Sequence, residues 1–225
     1  HWQRLQQGIH LFEIPFQETA AKLKAQILAV IAANNLSSQT AFARITITRG
    51  AGTRGLAIPT APSPTLMIQV GAYQREVNPI AIGFSTHRHP GKSALSAVKH
   101  LGYQLQVLGR LEAQHLAVDD VLFLNHQGEV VSATAANVFA MIEGVVVTPS
   151  LSSGCLPGTK RQQMIEQLTD QGQTVVERPL LPQELQEKAT TIFLTNSLIG
   201  VQPVEKLIGR QSPLGLVNFS SWQLF

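Results

Sequence analysis

The 225-residue chain is predicted to have a mixed α+β fold, and three observations support this class. Segments with apolar residues at helical spacing alternate irregularly with short β-branched segments. Several predicted strands follow one another across short turns, which indicates hairpins and disfavours a regular winding of parallel strands and helices. With 44% hydrophobic and 14% charged residues, the chain can bury a sizeable core.

The first third of the chain contains two predicted helices followed by two predicted strands. Apolar periodicity gives the helices 5–12 and 20–31 and the strands 41–48 and 65–73. Glycines and prolines between the strands are typical of a loop. We therefore expect a small α/β domain over 1–73, a polar linker over 74–79 and a large domain over 80–225.

Short strands and helices alternate through the predicted large domain. The predicted strands are 80–85, 121–124, 130–131, 138–147 with a turn near Gly144, 174–176, 190–195 and 201–208. The predicted helices are 103–116, 159–168 and 183–188. The turn at 126–128 predicts a hairpin between the second and third of these strands.

Composition restricts the partners of the protein. The net charge is +3 with scattered basic residues, which disfavours nucleic acid as a partner. Cys155 is the only cysteine, so no intrachain disulfide can form. No apolar stretch has membrane-spanning length and no signal peptide is visible, so we expect a cytoplasmic protein without a membrane partner. Because the chain opens at His1 without a methionine, we also expect that an N-terminal piece is missing.

Lys99 stands alone among small and apolar residues in the segment 93–103. We expect its ammonium group to be poorly solvated, which favours the free amine. A free amine can form a Schiff base with an aldehyde or ketone. The alternative is a lysine at a helix start, whose stem lies along apolar surface while its charge stays in water.

Two further sequence patterns have weaker functional interpretations. The run Gly50–Gly55 has the spacing of a dinucleotide fingerprint, but prolines follow it where a helix is required. We therefore interpret its glycines as a sharp bend around Arg49 and Arg54. His87 and His89 have no acidic or cysteine cluster beside them, which favours a loop pair over a metal site.

Gly158 precedes a predicted helix that begins at Thr159 and Lys160. The first N–H groups of a helix have no intrahelical acceptor and can bind a phosphate. The alternative is an ordinary junction between a loop and a helix.

Taken in chain order, these segments resemble the fold type IV family of pyridoxal-phosphate enzymes, over nearly the whole chain. The family includes branched-chain and D-amino-acid aminotransferases and 4-amino-4-deoxychorismate lyase. The Lys-His-Leu, Arg-Gly-x-Gly-x-Arg-Gly and Asn-Ser-Leu-x-Gly-Val segments are most similar to the lyase branch. The resemblance implies a two-domain homodimer with bound pyridoxal 5'-phosphate and a small-molecule substrate that carries carboxylates.

The resemblance also implies roles for individual residues. Lys99 matches the Schiff-base lysine, and Arg4 matches the arginine of the family's His-x-x-Arg-Leu segment that binds the cofactor phosphate. The implied cofactor-binding residues are Arg4, Lys99, Ser132, Asn137, Thr159, Lys160, Ser197 and Leu198. Arg54, with Arg49 beside it, is implied to bind a substrate carboxylate.

Ser132 departs from the family pattern, because it occupies the position of a carboxylate near the pyridine nitrogen. A serine would leave the ring a weaker electron sink, which fits a lyase better than a transaminase. Leu56 also departs from the polar residue of D-amino-acid aminotransferases. The resemblance thus implies conversion of 4-amino-4-deoxychorismate to 4-aminobenzoate and pyruvate, with a branched-chain or D-amino-acid aminotransferase or a non-catalytic relative as alternatives.

Overall fold

The computed structural model describes residues 1–216, and the chain divides into two compact units, His1–Arg75 and the remainder from Glu76. The boundary between these units falls inside the segment 74–79 that the sequence analysis treats as a linker. The correspondence of the units to two folding domains stays a prediction.

The first unit consists of two helices and one antiparallel strand pair. Its elements are α1 (Trp2–Leu11), α2 (Ala20–Ala33), β1 (Ala41–Thr48) and β2 (Thr65–Ala72). The Thr19 hydroxyl accepts a hydrogen bond from the Lys22 N–H at 3.2 Å, which caps the start of α2. Between the strands, Gly50 has φ +91°, and a Cβ there would lie 1.7 Å from the Ser63 carbonyl oxygen. Only glycine fits this bend, as the sequence predicts.

Over residues 76–216, the second unit contains an eight-stranded sheet with three α-helices. Its strands are β3 (Ile80–Arg88), β4 (Asp120–Leu124), β5 (Val130–Ala133), β6 (Asn137–Ile142), β7 (Val145–Pro149), β8 (Val175–Arg178), β9 (Ala189–Asn196) and β10 (Gly200–Leu207). Its helices are α3 (Gln104–His115), α4 (Thr159–Asp170) and α5 (Pro182–Glu187). The element boundaries differ from the predicted ones by at most three residues, because periodicity fixes the ends of elements least.

The strands lie in the order β5-β4-β3-β10-β9-β6-β7-β8. Three pairs are parallel, β3 with β4, β3 with β10 and β7 with β8, and the other four are antiparallel. This mixed sheet confirms the predicted α+β class. The sheet curls so that its two edges approach each other, and the Val130 N–H on the edge strand β5 donates at 2.7 Å to the Leu180 carbonyl, just beyond the other edge strand β8.

The centre of the sheet is buried on both faces. Alternate residues of β9 enter two different cores, since Ile192 and Leu194 belong to the core inside the curl whereas Phe193 packs beneath α4. Phe193 stacks on Phe139 of β6 with ring centroids 5.1 Å apart. Met164 of α4 belongs to this second core. Continuous apolar runs in the two strands, 138–142 of β6 and 192–194 of β9, are consistent with this burial on both faces.

None of the helices within residues 1–216 combines the length and apolar character needed to cross a bilayer.

Candidate functional site

The N-terminus of α4 lies beside the turn that joins β9 to β10. Thr159 Oγ1 at the helix start is 3.3 Å from Ser197 Oγ in the turn. The first intrahelical bond of α4 is donated by Gln162 to the Gly158 carbonyl, so the earlier N–H groups point out of the helix end. Two hydroxyls and a helix N-terminus together form a suitable site for an anion. The structure thus brings together Thr159, Lys160 and Ser197, which the sequence assigns to a phosphate.

Asn137 links the segment that precedes α4 to strand β6 of the sheet. Its side-chain Nδ2 donates to the Leu156 carbonyl at 2.9 Å. Its Oδ1 lies so close to Gly158 that a Cβ on that glycine would be 2.2 Å away. The contacts of Asn137 therefore position the helix start, and its predicted contact with a cofactor stays a prediction.

Asn196 organises the turn that carries Ser197 and Leu198. Its Oδ1 accepts the Leu198 N–H at 2.8 Å and the Ile199 N–H at 2.9 Å, and its Nδ2 donates to the Ala135 carbonyl at 3.1 Å. Leu198, predicted to bind cofactor, is 49% exposed and uses its N–H for this bond. Asn196 is not among the site residues predicted from the sequence, although an asparagine before a turn is a known signal for such side-chain capping.

Ser132 is half-buried on β5, opposite Phe123 of β4, and its hydroxyl donates to the Ala133 carbonyl at 2.9 Å. The acidic residue closest to it in sequence, Glu129, accepts a hydrogen bond from Asn125 at 2.8 Å in the preceding hairpin. Its carboxylate is therefore held by that hairpin. The predicted position of Ser132 near a pyridine nitrogen stays a prediction.

The buried Asp120 side chain binds the loop that follows β5. Its Oδ1 accepts the Thr134 N–H at 3.2 Å and the Val121 N–H at 2.8 Å. Burial raises the pKa of the Asp120 carboxyl, although these hydrogen bonds and the nearby Arg110 guanidinium act in the opposite direction. Asp120 is not among the predicted site residues either, because its burial depends on the position of α3 against the sheet.

Lys99 lies in the irregular segment between a 3₁₀ turn (Leu95–Ala97) and α3, and it is exposed. The expectation of a poorly solvated ammonium group is wrong for this structure. The neighbouring Leu95 and Leu101 are 48% and 66% exposed, since a short turn gives them no common face on which to enclose the lysine. Lys99 Nζ instead lies 5.3 Å from the centre of the Tyr103 ring.

The three predicted arginines belong to the first unit and differ in their surroundings. Arg49 donates to the Glu13 carbonyl at 3.0 Å and also to the Phe12 carbonyl, both at the end of α1. Its guanidinium therefore fastens the glycine-rich loop to a helix C-terminus. Arg54 is exposed in that loop, and Arg4 is half-buried on α1. Of the two arginines assigned to a substrate carboxylate, Arg54 is the more available.

Comparison with known proteins places this geometry in a family. Residues 1–207 match the family described as amino-transferase class IV. The chain belongs to the class IV aminotransferase family. It therefore has the fold type IV architecture of pyridoxal-phosphate enzymes, as the sequence predicts.

Relatives of this class IV chain carry two different activities in their names. A Methanocaldococcus jannaschii protein, named provisionally as a branched-chain-amino-acid aminotransferase, is 30% identical over 93% of this chain and 73% of its own length. An aminodeoxychorismate lyase of Vibrio harveyi is 26% identical over 97% of this chain and 81% of its own. The solved 4-amino-4-deoxychorismate lyase of Pseudomonas aeruginosa is 28% identical, with a TM-score of 0.82 over 99% of this chain and 82% of its own.

Replacing Gly158 with alanine is expected to destabilise this class IV chain by about 1–3 kcal/mol, because the new methyl group would overlap Asn137 Oδ1. Adding Asn137→Ala removes that overlap. The double variant should therefore lose less unfolding free energy than the two single variants lose in sum. Urea unfolding followed by circular dichroism measures the unfolding free energy of wild type, the two single variants and the double variant. Gly83→Ala is the control, because its Cβ would meet its nearest neighbour at 3.4 Å. Strict additivity of the two substitutions would contradict the overlap.

Replacing Asp120 with asparagine is expected to change how stability depends on pH. The folded pKa is raised above its ordinary value of 3.8, so wild-type stability falls as pH rises from that value through the folded pKa. The asparagine side chain cannot ionise but retains an acceptor oxygen, so the variant should gain stability relative to wild type across the same interval. Urea unfolding at successive pH values tests this, with the exposed Asp119→Asn as control. Parallel profiles for wild type and Asp120→Asn would refute it.

Proposed function

We propose that the protein is a pyridoxal-phosphate-dependent lyase that converts 4-amino-4-deoxychorismate to 4-aminobenzoate and pyruvate, a step toward folate. The observation that carries the cofactor assignment is the pairing of Thr159 and Ser197 at the N-terminus of α4. These donors suit the phosphate of pyridoxal phosphate, because a phosphate needs several convergent N–H and O–H groups. Arg4 is proposed to add a charge-assisted bond and Lys160 a further backbone donor.

The proposed chemistry assigns two tasks to the amine of Lys99. When bound, pyridoxal phosphate withdraws electrons from the substrate carbon that bears the amino group. Lys99 would hold the aldehyde carbon of the cofactor until the substrate amine displaces it. Its freed amine would then take the proton from the amine-bearing carbon and return a proton to the departing pyruvate. Arg54 would hold a substrate carboxylate through two parallel hydrogen bonds.

Ser132 supports elimination over amino-group transfer. A neutral hydroxyl beside the pyridine nitrogen would not stabilise a positive charge there, so the ring would accept electrons less strongly. Transamination depends throughout on the electron demand of the pyridine ring, whereas elimination is also driven by aromatisation of the substrate's own ring. The similarity to the P. aeruginosa lyase supports the same choice.

The second candidate function is a branched-chain or D-amino-acid aminotransferase. The 30% identity to the M. jannaschii relative favours this alternative on the same scaffold. Both functions use the same phosphate site and Lys99, so they differ only in the fate of the substrate. A relative without catalytic activity is the remaining outcome of the tests below.

We further propose that the enzyme acts in the cytoplasm as a homodimer. Val107, Leu108 and Leu111 of α3 are between 44% and 56% exposed and lie on one side of the helix. An exposed apolar helix face supports association of two copies. Sedimentation showing a monomer at micromolar concentration with cofactor bound would refute the dimer.

The cofactor assignment predicts a visible absorption band when pyridoxal phosphate is added to the protein. Lys99→Ala should abolish that band, because it removes the amine that would bind the aldehyde. Lys92→Ala, also exposed and in the same connecting segment, is the matched control and should keep it. Borohydride reduction and peptide mapping should place the pyridoxyl group on Lys99. A label on another lysine would overturn the assignment.

The reaction itself is decided by two assays on the same preparation. Release of pyruvate and 4-aminobenzoate from 4-amino-4-deoxychorismate supports the lyase. Glutamate formation from 2-oxoglutarate and a branched-chain or D-amino acid, without pyruvate release from 4-amino-4-deoxychorismate, supports the aminotransferase. Absence of both activities in the cofactor-loaded protein supports the non-catalytic relative.

Replacing Ser132 with glutamate should raise amino-group transfer relative to pyruvate release, since a carboxylate near the pyridine nitrogen strengthens the electron sink. Both rates are measured in wild type and Ser132→Glu. Ser132→Ala is the control, because it removes the hydroxyl without adding charge. An unchanged or lowered ratio in Ser132→Glu would mean that this position does not tune the ring.

A further inference from the structure

One amide side chain joins the two loops that meet at the candidate site. Asn196 is the last residue of β9, and its Oδ1 caps the following turn while its Nδ2 reaches the Ala135 carbonyl. The capped turn carries Ser197, whereas Ala135 lies in the loop 134–136 that leads from β5 to β6. A single side chain thus bonds to backbone groups of both loops.

The capping bonds fix the shape of an exposed turn. Backbone N–H groups in such a turn can bond water in many conformations, so water alone selects none of them. By accepting from Leu198 and Ile199 at once, Oδ1 restricts the turn to one arrangement. In that arrangement the Ser197 hydroxyl lies 3.3 Å from Thr159 Oγ1.

The third bond of Asn196 fixes the loop 134–136 relative to that turn. This loop lies between Ser132 and Asn137, the two predicted cofactor residues on β5 and β6. A hydrogen bond from an amide to a carbonyl has a preferred distance and direction. It therefore fixes the distance between the two loops as well as keeping them in contact. Asn196 therefore lies between the phosphate-binding turn and the segment assigned to the cofactor ring.

We propose that Asn196 is a positioning residue that matches the separation of these two loops to a ligand carrying a phosphate and an aromatic ring. This inference rests on the proposed function, since it takes pyridoxal phosphate as that ligand. Asn196 touches neither the phosphate nor the ring in this role. It acts through the turn at Ser197 and the loop at Ala135.

Asn125 provides a matched control elsewhere in the second unit. Its Oδ1 accepts the Gln127 N–H at 3.0 Å and the Glu129 N–H at 2.9 Å, and its Nδ2 donates to the Ser153 carbonyl at 3.2 Å. Asn125 thus caps a hairpin and links it to a second segment, as Asn196 does. The turn that it caps, at 126–128, carries none of the predicted site residues, and Ser132 lies farther along β5.

The test compares Asn196→Ser with Asn125→Ser in the full chain. Serine retains a short oxygen that can cap a turn weakly but cannot reach the second segment, and it adds no charge. Apparent dissociation constants are measured by absorbance titration for pyridoxal phosphate and for pyridoxal, which lacks the phosphate. Circular dichroism checks that each variant is folded.

Asn196→Ser is expected to bind pyridoxal phosphate about tenfold more weakly than wild type, with a change of about twofold or less for pyridoxal. Pyridoxal engages only one of the two loops, so it does not depend on their separation. Asn125→Ser should bind both ligands as wild type does. Equal weakening in the two variants, equal loss for both ligands, or unchanged binding in Asn196→Ser would overturn the proposal.

Two further results separate the possible failures. If wild type itself does not bind pyridoxal phosphate, the proposed function fails before Asn196 is tested. If Asn196→Ser does not fold, Asn196→Asp replaces it and is compared with Asn125→Asp in high salt, which screens the added charge. Aspartate retains the capping oxygen and loses the donor to Ala135, so the same tenfold weakening is expected, and wild-type binding would overturn the proposal.

Discussion

Burial of β6 and β9 on both faces is the constraint that positions the candidate site. Phe139 and Phe193 stack beneath α4, while Ala140 and Ile192 face the core inside the curled sheet. A shift of one residue in the pairing would exchange these sets between the two cores. Such an exchange would place aromatic rings where alanine and isoleucine now fit, so the register is strongly specified.

The fixed register determines which loops meet at the end of the sheet. Asn137 at the start of β6 pairs with Thr195 near the end of β9. The loop before β6 and the turn after β9 are therefore neighbours, and α4 begins above the same pair of strands. Asn196 and Asp120 then bind backbone groups of these loops, and Asn137 binds the Leu156 carbonyl in the segment before α4. Each provides a side-chain bond to a backbone group in a region without regular secondary structure.

The proposed site would also separate anion binding from tuning of the chemistry. In the proposed function, the start of α4 and the Ser197 turn would provide donors for a phosphate whatever reaction follows. Ser132 lies in a different segment, on β5, so in the proposed function a change there would alter the electron demand on a bound ring without altering the phosphate site. This separation gives a physical reason why one scaffold can serve both lyases and aminotransferases.

The amino-acid sequence by itself determined the order and type of the elements, the mixed fold class and the residues at the start of α4. Periodicity and the glycines at 50 and 158 carry that information locally. Only the tertiary structure decided that Asn196 and Asp120 hold the site loops, because their partners Ala135 and Thr134 are distant in sequence. It also decided that Lys99 is exposed. Apolar neighbours along the chain enclose a side chain only when the backbone gives them a common face, and the short turn before Lys99 does not.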